Sequence, residues 1–243
     1  MSQPAKGFRA GTDSVLLGAS VAPASTSLLD LGAGAGVAGL VALAHNPGLS
    51  ALLAEADPEM HALARANIES NGFDGRAGTS LVDVTATGKQ RLEAGLAANA
   101  FSTVIANPPY FDADSGTRSS LAPRAGGRHM AAAALDAWVK TAAACAAGWG
   151  EAIFIYRADG LRELLDAFAA RFGNIDVLPV APRPREPAAL ILVRGIKGSR
   201  APLTLLSPLV LHGETGRGYA PEVEAVLRGK SILHWRGNGG VPK

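Results

Sequence analysis

The sequence predicts an α/β fold built around a parallel sheet, and three observations carry that expectation. Short apolar runs alternate with helical patterns through the first half of the chain, as in consecutive βαβ units. The first apolar run, Ser27 to Leu31, leads straight into a glycine-rich turn and then a helical pattern. With 243 residues, 48% hydrophobic and 18% charged, the chain can bury a proper core and is neither a disordered segment nor a coiled coil.

Ser27 to Leu31 reads as a buried strand, and Val37 to His45 as a helix stopped by Asn46-Pro47-Gly48. Ala51 to Ala54 is a second strand ending at Glu55. Pro58 to Ser70 is a helix with proline in its first turn and Asn71-Gly72 at its C-terminal cap. Ser80 to Val84 reads as a third strand, and Thr103 to Ala106 as a fourth that runs into Asn107-Pro108-Pro109-Tyr110. The polar, glycine- and arginine-containing stretch Asp112 to Arg128 reads as a long loop, a length usually kept for function. Ala131 to Ala147 is an alanine-rich helix, Ala152 to Tyr156 a fifth strand, and Leu161 to Phe172 a helix with apolar residues at helical spacing. Ile175 to Val180 and Ala188 to Val193 are the last two core strands, joined by a turn rich in proline and arginine. Pro208 to His212 is one more short strand and Glu222 to Leu227 a short helix. No internal repeat and no Gly/Ser/Pro-rich linker interrupts the chain, so residues 1–243 read as one domain.

Composition narrows the function. The net charge is +2, divided as −4 over residues 1–123 and +6 over residues 124–243, so a polyanion-binding surface belongs mostly to the second half. Cys145 is the single cysteine, which excludes an internal disulfide framework and an all-cysteine zinc site. The longest run free of Asp, Glu, Lys and Arg, Leu31 to Ala54, contains five glycines and a proline and is not a membrane helix. The opening MSQPAKGFRAG has no apolar signal-peptide core, and the expected address is cytoplasmic.

The segment Asp30-Leu-Gly32-Ala-Gly34-Ala-Gly36-Val-Ala-Gly39 places glycines at a strand-to-helix turn, where backbone can approach a cofactor closely. Gly34 to Gly39 alone fits the dinucleotide fingerprint G-x-G-x-x-G. A carboxylate at Asp30, just before the first glycine, would repel a pyrophosphate. The D-x-G-x-G-x-G pattern instead resembles the cofactor loop of class I methyltransferases, which hold S-adenosylmethionine. Glu55, 19 residues after Gly36, stands where such folds place a carboxylate to accept two ribose hydroxyls. Asp57 before Pro58 reads as a helix N-cap. Asp83, in Val82-Asp83-Val84, is either a turn residue or, as the resemblance implies, an acceptor for the cofactor's adenine amino group. On this reading Asp30, Gly32, Gly34, Gly36, Glu55, Asp83 and Asn107 bind the cofactor.

Asn107-Pro108-Pro109-Tyr110, after the fourth strand, resembles the [Asn/Asp]-Pro-Pro-[Tyr/Phe/Trp] signature of methyltransferases acting on exocyclic amino or amide nitrogens. Such a nitrogen is planar, with its lone pair delocalised, and is a poor nucleophile. The Asn107 side-chain oxygen and the Pro108 carbonyl can accept both of its N–H bonds and favour a pyramidal nitrogen. The two prolines fix the backbone and remove competing donors. Tyr110 offers a face for a flipped base, worth roughly 1–3 kcal/mol in base–aromatic contacts. Asn107, Pro108 and Tyr110 are the expected catalytic residues, and no metal is required.

The whole chain resembles the bacterial tRNA (adenine-N6)-methyltransferase family that modifies valine tRNA. The lead-in Gln3 to Leu17, Ala106 to Phe111, Arg171-Phe-Gly173, Leu192-Val-Arg194, Lys197 to Leu203 and Pro208 to His212 carry the likeness. Family members often have His-Glu where this chain has His129-Met130. The resemblance implies a Rossmann-like class I methyltransferase fold: a seven-stranded, mostly parallel sheet with helices on both faces and an antiparallel last strand. Residues 1–26 would be a lead-in over the cofactor site and 112–130 a substrate loop. It further implies S-adenosylmethionine-dependent methylation of adenine N6 in RNA, with tRNA as the partner. Rival readings are a protein-glutamine N5-methyltransferase, an rRNA or DNA amino-methyltransferase, a nicotinamide-dependent oxidoreductase and a non-catalytic RNA-binding module.

Pro109, Tyr110 and Phe111 are candidate substrate contacts, with Arg118, Arg124 and Arg128 as a basic lid over RNA. Arg183, Arg185, Arg194, Lys197 and Arg200 form either a phosphate-contacting rim or a solvated loop. His129 and His212 have no second metal ligand at a useful spacing, and Cys145 reads as a small core residue. By the resemblance, Asp13 lies near the cofactor's methionine end.

Overall fold

The computed structural model describes Ser2, residues 11–110 and residues 124–235, with backbone alone over 124–131. The strands are β1 (Ser27–Leu31), β2 (Ser50–Glu55), β3 (Ala77–Leu81), β4 (Phe101–Ala106), β5 (Ala146–Arg157), β6 (Phe172–Ala181), β7 (Leu190–Lys197), β8 (Thr204–Leu205) and β9 (Leu209–Val210). The helices are α1 (Thr12–Ala19), α2 (Val37–His45), α3 (Pro58–Ser70), α4 (Gly88–Glu93), α5 (Arg124–Cys145), α6 (Leu161–Ala169) and α7 (Pro221–Leu227). They form one sheet in the order β3-β2-β1-β4-β5-β7-β6, extended beside β6 by the two-residue strands β8 and β9. β1 to β5 pair in parallel, and β7 is antiparallel to both neighbours, as expected of the last core strand.

Strand periodicity sorts the core into two layers. Leu29 and Leu31 of β1, Val104 of β4 and Phe154 of β5 face α5 and α6, meeting Val139 and Phe168. Leu28, Ile105 and Ile153, one residue out of phase, face the other side, where α1, α2, α3 and α7 supply Leu16, Leu43 and Ile68 among others. α1 approaches α2 backbone to backbone at Gly18, where an added Cβ would lie 2.3 Å from the Ala38 carbonyl oxygen. Cys145 is buried in this core, as the sequence implies.

Several boundaries differ from expectation. The third strand is Ala77–Leu81, not Ser80 to Val84. As an edge strand with one neighbour it tolerates polar and small residues. Val82 and Val84 are buried after the strand has ended, and the Thr141 hydroxyl donates to the Val84 carbonyl at 2.7 Å. α1 and α4 have no counterpart in the expected elements, although Thr87 and Gln90 of α4 form a capping box that the spacing T-x-x-Q allows. The helix expected from Ala131 already includes Arg124, so the loop placed over Asp112 to Arg128 is helical from 124; residues 112–123 of it lie outside the described residues. Two short strands beyond the seven cover the outer edge of β6. Among the described residues no helix is long and apolar enough to cross a membrane.

Candidate functional site

The strand order reverses between β1 and β4, and at their C-terminal ends such sheets open a crevice. β1 runs there into a loop in which Gly32, Gly34 and Gly36 take φ of 65°, 58° and 85°, the left-handed region that glycine alone enters freely. A Cβ at Gly32 would lie 2.4 Å from Trp138 Cη2, and one at Gly36 2.7 Å from Leu53 Cδ2. At Gly34 only Met60 Cε approaches, at 3.5 Å, so the loop has room at Gly34 and none at its flanks. Asn67 of α3 braces the loop by donating its Nδ2–H to the Ala35 carbonyl at 2.9 Å.

Two carboxylates shape this loop in different ways. Glu55, half-buried at the end of β2, accepts the Gly34 N–H at 2.7 Å and the Ala56 and Asp57 N–H groups at 2.8 and 2.9 Å. Asp30 acts on the backbone of the next helix. It is 2% exposed beneath α2, and its Oδ2 accepts the Gly39 N–H at 2.9 Å. It joins β1 to the first turn of α2.

Burial pushes the Asp30 carboxyl from 3.8 up to about 7, against the pull of the Gly39 N–H and helped by the charge of Glu55. The folded chain holds a proton there that the unfolded chain releases near its ordinary value. The stability contributed at Asp30 therefore falls as pH rises from about 4 through about 7. Asp30→Asn keeps an acceptor for Gly39 without the charge. Its urea midpoint should lose less between those pH values than the parent's; parallel curves would place the pH dependence elsewhere.

Asp57 caps α3, accepting the Glu59 and Met60 N–H groups at 2.8 and 3.0 Å. Asp83 is exposed two residues beyond β3, where its Oδ1 accepts both the N–H and the hydroxyl of Thr85 at 2.7 Å in a turn. Asp83 follows the end of β3, which pairs with the end of β2 that carries Glu55.

Asn107, Pro108, Pro109 and Tyr110 leave the C-terminal end of β4 beside the glycine loop. Pro108 is buried, Pro109 exposed and Tyr110 41% exposed. The Asn107 Nδ2–H donates to Asp13 Oδ2 at 3.2 Å, which brings α1 of the lead-in onto the motif. Tyr110 meets the Tyr156 ring at 5.8 Å with an interplanar angle of 67°, and the Arg157 guanidinium lies 5.7 Å from its centroid. Burial and the nearby Asp13 raise the Tyr110 hydroxyl's pKa, partly offset by Arg157. Tyr156 and Arg157 were not among the expected site residues. Their signal is positional: they end β5, next to β4 on the crevice side of the sheet.

Phe111 and Arg118 lie outside the described residues, as does the lead-in over 3–10; Arg124 and Arg128 lie in α5, where the backbone alone is described. Of the second basic group, three members are engaged in structure. Arg194 pairs with buried Asp176 and lies 4.8 Å from the Trp235 ring centroid. Lys197 donates to Asn99 Oδ1 and to the Ala143 and Ala146 carbonyls. Arg183 ties down the following loop through the Gly213 and Gly216 carbonyls. His212 stacks on Tyr219 at 4.7 Å. Among the described residues no group of three His, Cys, Asp or Glu side chains could hold a metal.

Residues 7–125 match the family model of the methyltransferase small domain. A predicted O-methyltransferase from Agrobacterium tumefaciens is 32% identical over 91% of this chain and 98% of its own, with a TM-score of 0.77. A tRNA (m1A58) methyltransferase from Aquifex aeolicus covers 81% of this chain and 72% of its own, at 14% identity and a TM-score of 0.55, a likeness of fold. No match is found among curated proteins.

Proposed function

The chain belongs to the class I S-adenosylmethionine-dependent methyltransferases, and from that premise we propose that it methylates the exocyclic N6 of adenine in RNA, with tRNA as the acceptor, in the cytoplasm. One observation carries the reading: Asn107-Pro108-Pro109-Tyr110 leaves β4 beside the glycine loop that follows β1. The residues of that loop suit the cofactor. Room at Gly34 lies next to a carboxylate whose remaining lone pair, on the oxygen that holds Gly34, can accept from the ribose. Asp83, after the paired end of β3, would accept from the adenine amino group.

S-adenosylmethionine supplies a methyl group on positively charged sulfur: the C–N bond forms as the C–S bond breaks, the sulfur leaves as a neutral thioether, and the nitrogen gives one proton to solvent. What the chain adds is alignment and hydrogen-bond acceptors. An amino group has two N–H bonds to satisfy, and the Asn107 Oδ1 and the Pro108 carbonyl are two neutral acceptors on adjacent residues. A hydroxyl acceptor has one proton and would leave one of them unused, which favours nitrogen over oxygen. Tyr110, partly exposed and held from the side by Tyr156, supplies a ring for the base. Pro109 and Phe111 complete the base contacts in this reading, and Arg118, Arg124 and Arg128 meet the phosphates.

The test is transfer of labelled methyl from S-adenosylmethionine to unmodified tRNA, followed by mass spectrometry of the nucleosides. N6-methyladenosine is the expected product. Labelling of a glutamine peptide, rRNA or DNA fragment, with tRNA left unlabelled, would overturn the choice of acceptor while keeping the chemistry.

A further inference from the structure

We infer that Asp13 is a positioning residue that fixes which end of the Asn107 amide faces the methyl acceptor. The inference rests on the proposed amino-nitrogen chemistry. Oδ2 of Asp13 receives the Asn107 Nδ2–H at 3.2 Å. An ionised carboxylate can only accept, so it admits the NH2 end of the amide and rejects the C=O end. The amide oxygen is thereby left on the other side, free to accept from an amino group. Turned the other way, Asn107 would oppose its own donors to the acceptor's N–H bonds, and the nitrogen would lose the partner that orients it.

The carboxylate is itself held still. Its Oδ1 accepts the Ser14 and Gly11 N–H groups at 2.8 and 3.2 Å. Thr12, its neighbour, shares a hydrogen bond with the Tyr219 hydroxyl at 3.0 Å. Behind it, Leu16 and Leu17 are fully buried and Gly18 seats α1 on α2. Asp13 thus presents a fixed negative charge to a flexible amide, and the amide is the partner that adjusts. That charge also polarises the amide so that its oxygen becomes a better acceptor, and it opposes the positive charge that the acceptor nitrogen gains during transfer.

Two measurements on the full chain test this. The first needs no acceptor: the Asn107 side-chain amide is followed by 15N–1H NMR, assigned by its loss in Asn107→Ala. One of its two protons should be shifted downfield by the carboxylate in the parent, and Asp13→Ala should abolish that shift while the rest of the spectrum is retained. An unchanged Asn107 amide in Asp13→Ala overturns the inference whatever the substrate is. The second is single-turnover transfer to unmodified tRNA. Asp13→Ala should slow it by about a hundredfold, the scale of a misplaced reacting group, with the KM for tRNA little changed. Asn107→Asp alone sets two carboxylates together and should be slow. The exchanged pair Asp13→Asn with Asn107→Asp restores one donor facing one carboxylate and should recover at least about tenfold over Asn107→Asp. No recovery, or a defect confined to S-adenosylhomocysteine affinity by calorimetry, would overturn the positioning role. A parent whose Asn107 shift depends on Asp13 but which leaves tRNA unmethylated would reject the RNA reading alone.

Discussion

Asn107→Ala is expected to cut the single-turnover rate of methyl transfer at least about a hundredfold, near 2.7 kcal/mol on the barrier, while S-adenosylmethionine binding stays close to normal. The glycine loop, Glu55 and Asp83 are untouched by the change, so the cofactor keeps its contacts other than that of Asn107. What is lost is the amide oxygen that holds an N–H bond of the acceptor out of conjugation. The Asn107 side chain is half-buried at the end of β4 and bonds to Asp13 of α1 rather than to a strand, so truncation leaves the sheet intact. Tyr110→Phe should be mild, because stacking uses the ring rather than the hydroxyl; Tyr110→Ala should weaken both the base pose and turnover. A near-normal rate for Asn107→Ala would remove the motif from the catalytic centre.

Glu55→Ala should weaken S-adenosylmethionine or S-adenosylhomocysteine binding by roughly 1.5–3 kcal/mol, the range for hydrogen bonds to a charged group. Two effects act in the same direction. The ribose hydroxyls lose their acceptor, and the Gly34, Ala56 and Asp57 N–H groups lose theirs. Glu55→Gln separates the two: an amide oxygen can still accept from part of the loop but serves the ribose less well. Calorimetry at fixed pH reads the change, and NADH in place of the S-adenosyl ligand should show no binding. Unchanged affinity in both variants would place the ribose elsewhere.

The crevice was legible in the sequence because its parts are backbone devices. Glycines at Gly32, Gly34 and Gly36 anticipate positive φ, Asp57-Pro58 anticipates a capped helix start, and Asn107-Pro-Pro-Tyr110 anticipates a rigid strand exit. The bond of Asp30 to α2 was not legible, for a physical reason. Adjacency in sequence to a glycine loop does not say which face of β1 the side chain takes, and period-two alternation turns it under α2 with Leu28. Arg157 and Asp13 could not be joined to the motif by sequence, since strand order and the packing of α1 bring them there from 47 and 94 residues away. The basic cluster dissolved similarly: Lys197 ends as a cap on the carbonyls of Ala143 and Ala146, an outcome set by tertiary packing.

The segment after α7 closes on α1. The Trp235 indole N–H donates to the Ser20 carbonyl at 3.0 Å, and the Leu233 N–H donates to the Ala19 carbonyl at 2.8 Å. These bonds clasp the C-terminal end of α1, the helix whose other end presents Asp13 to Asn107. On a ribosome, Ser20 at the end of α1 emerges 215 residues ahead of the Trp235 that clasps it. β6 waits as well, since β7 lies between it and β5 in the sheet. A nascent chain can therefore assemble the glycine loop early, from β1 and α2, and still lack a seated α1. A chain cut short before Leu233 would carry the full set of motif residues without the clasp that seats α1 against them.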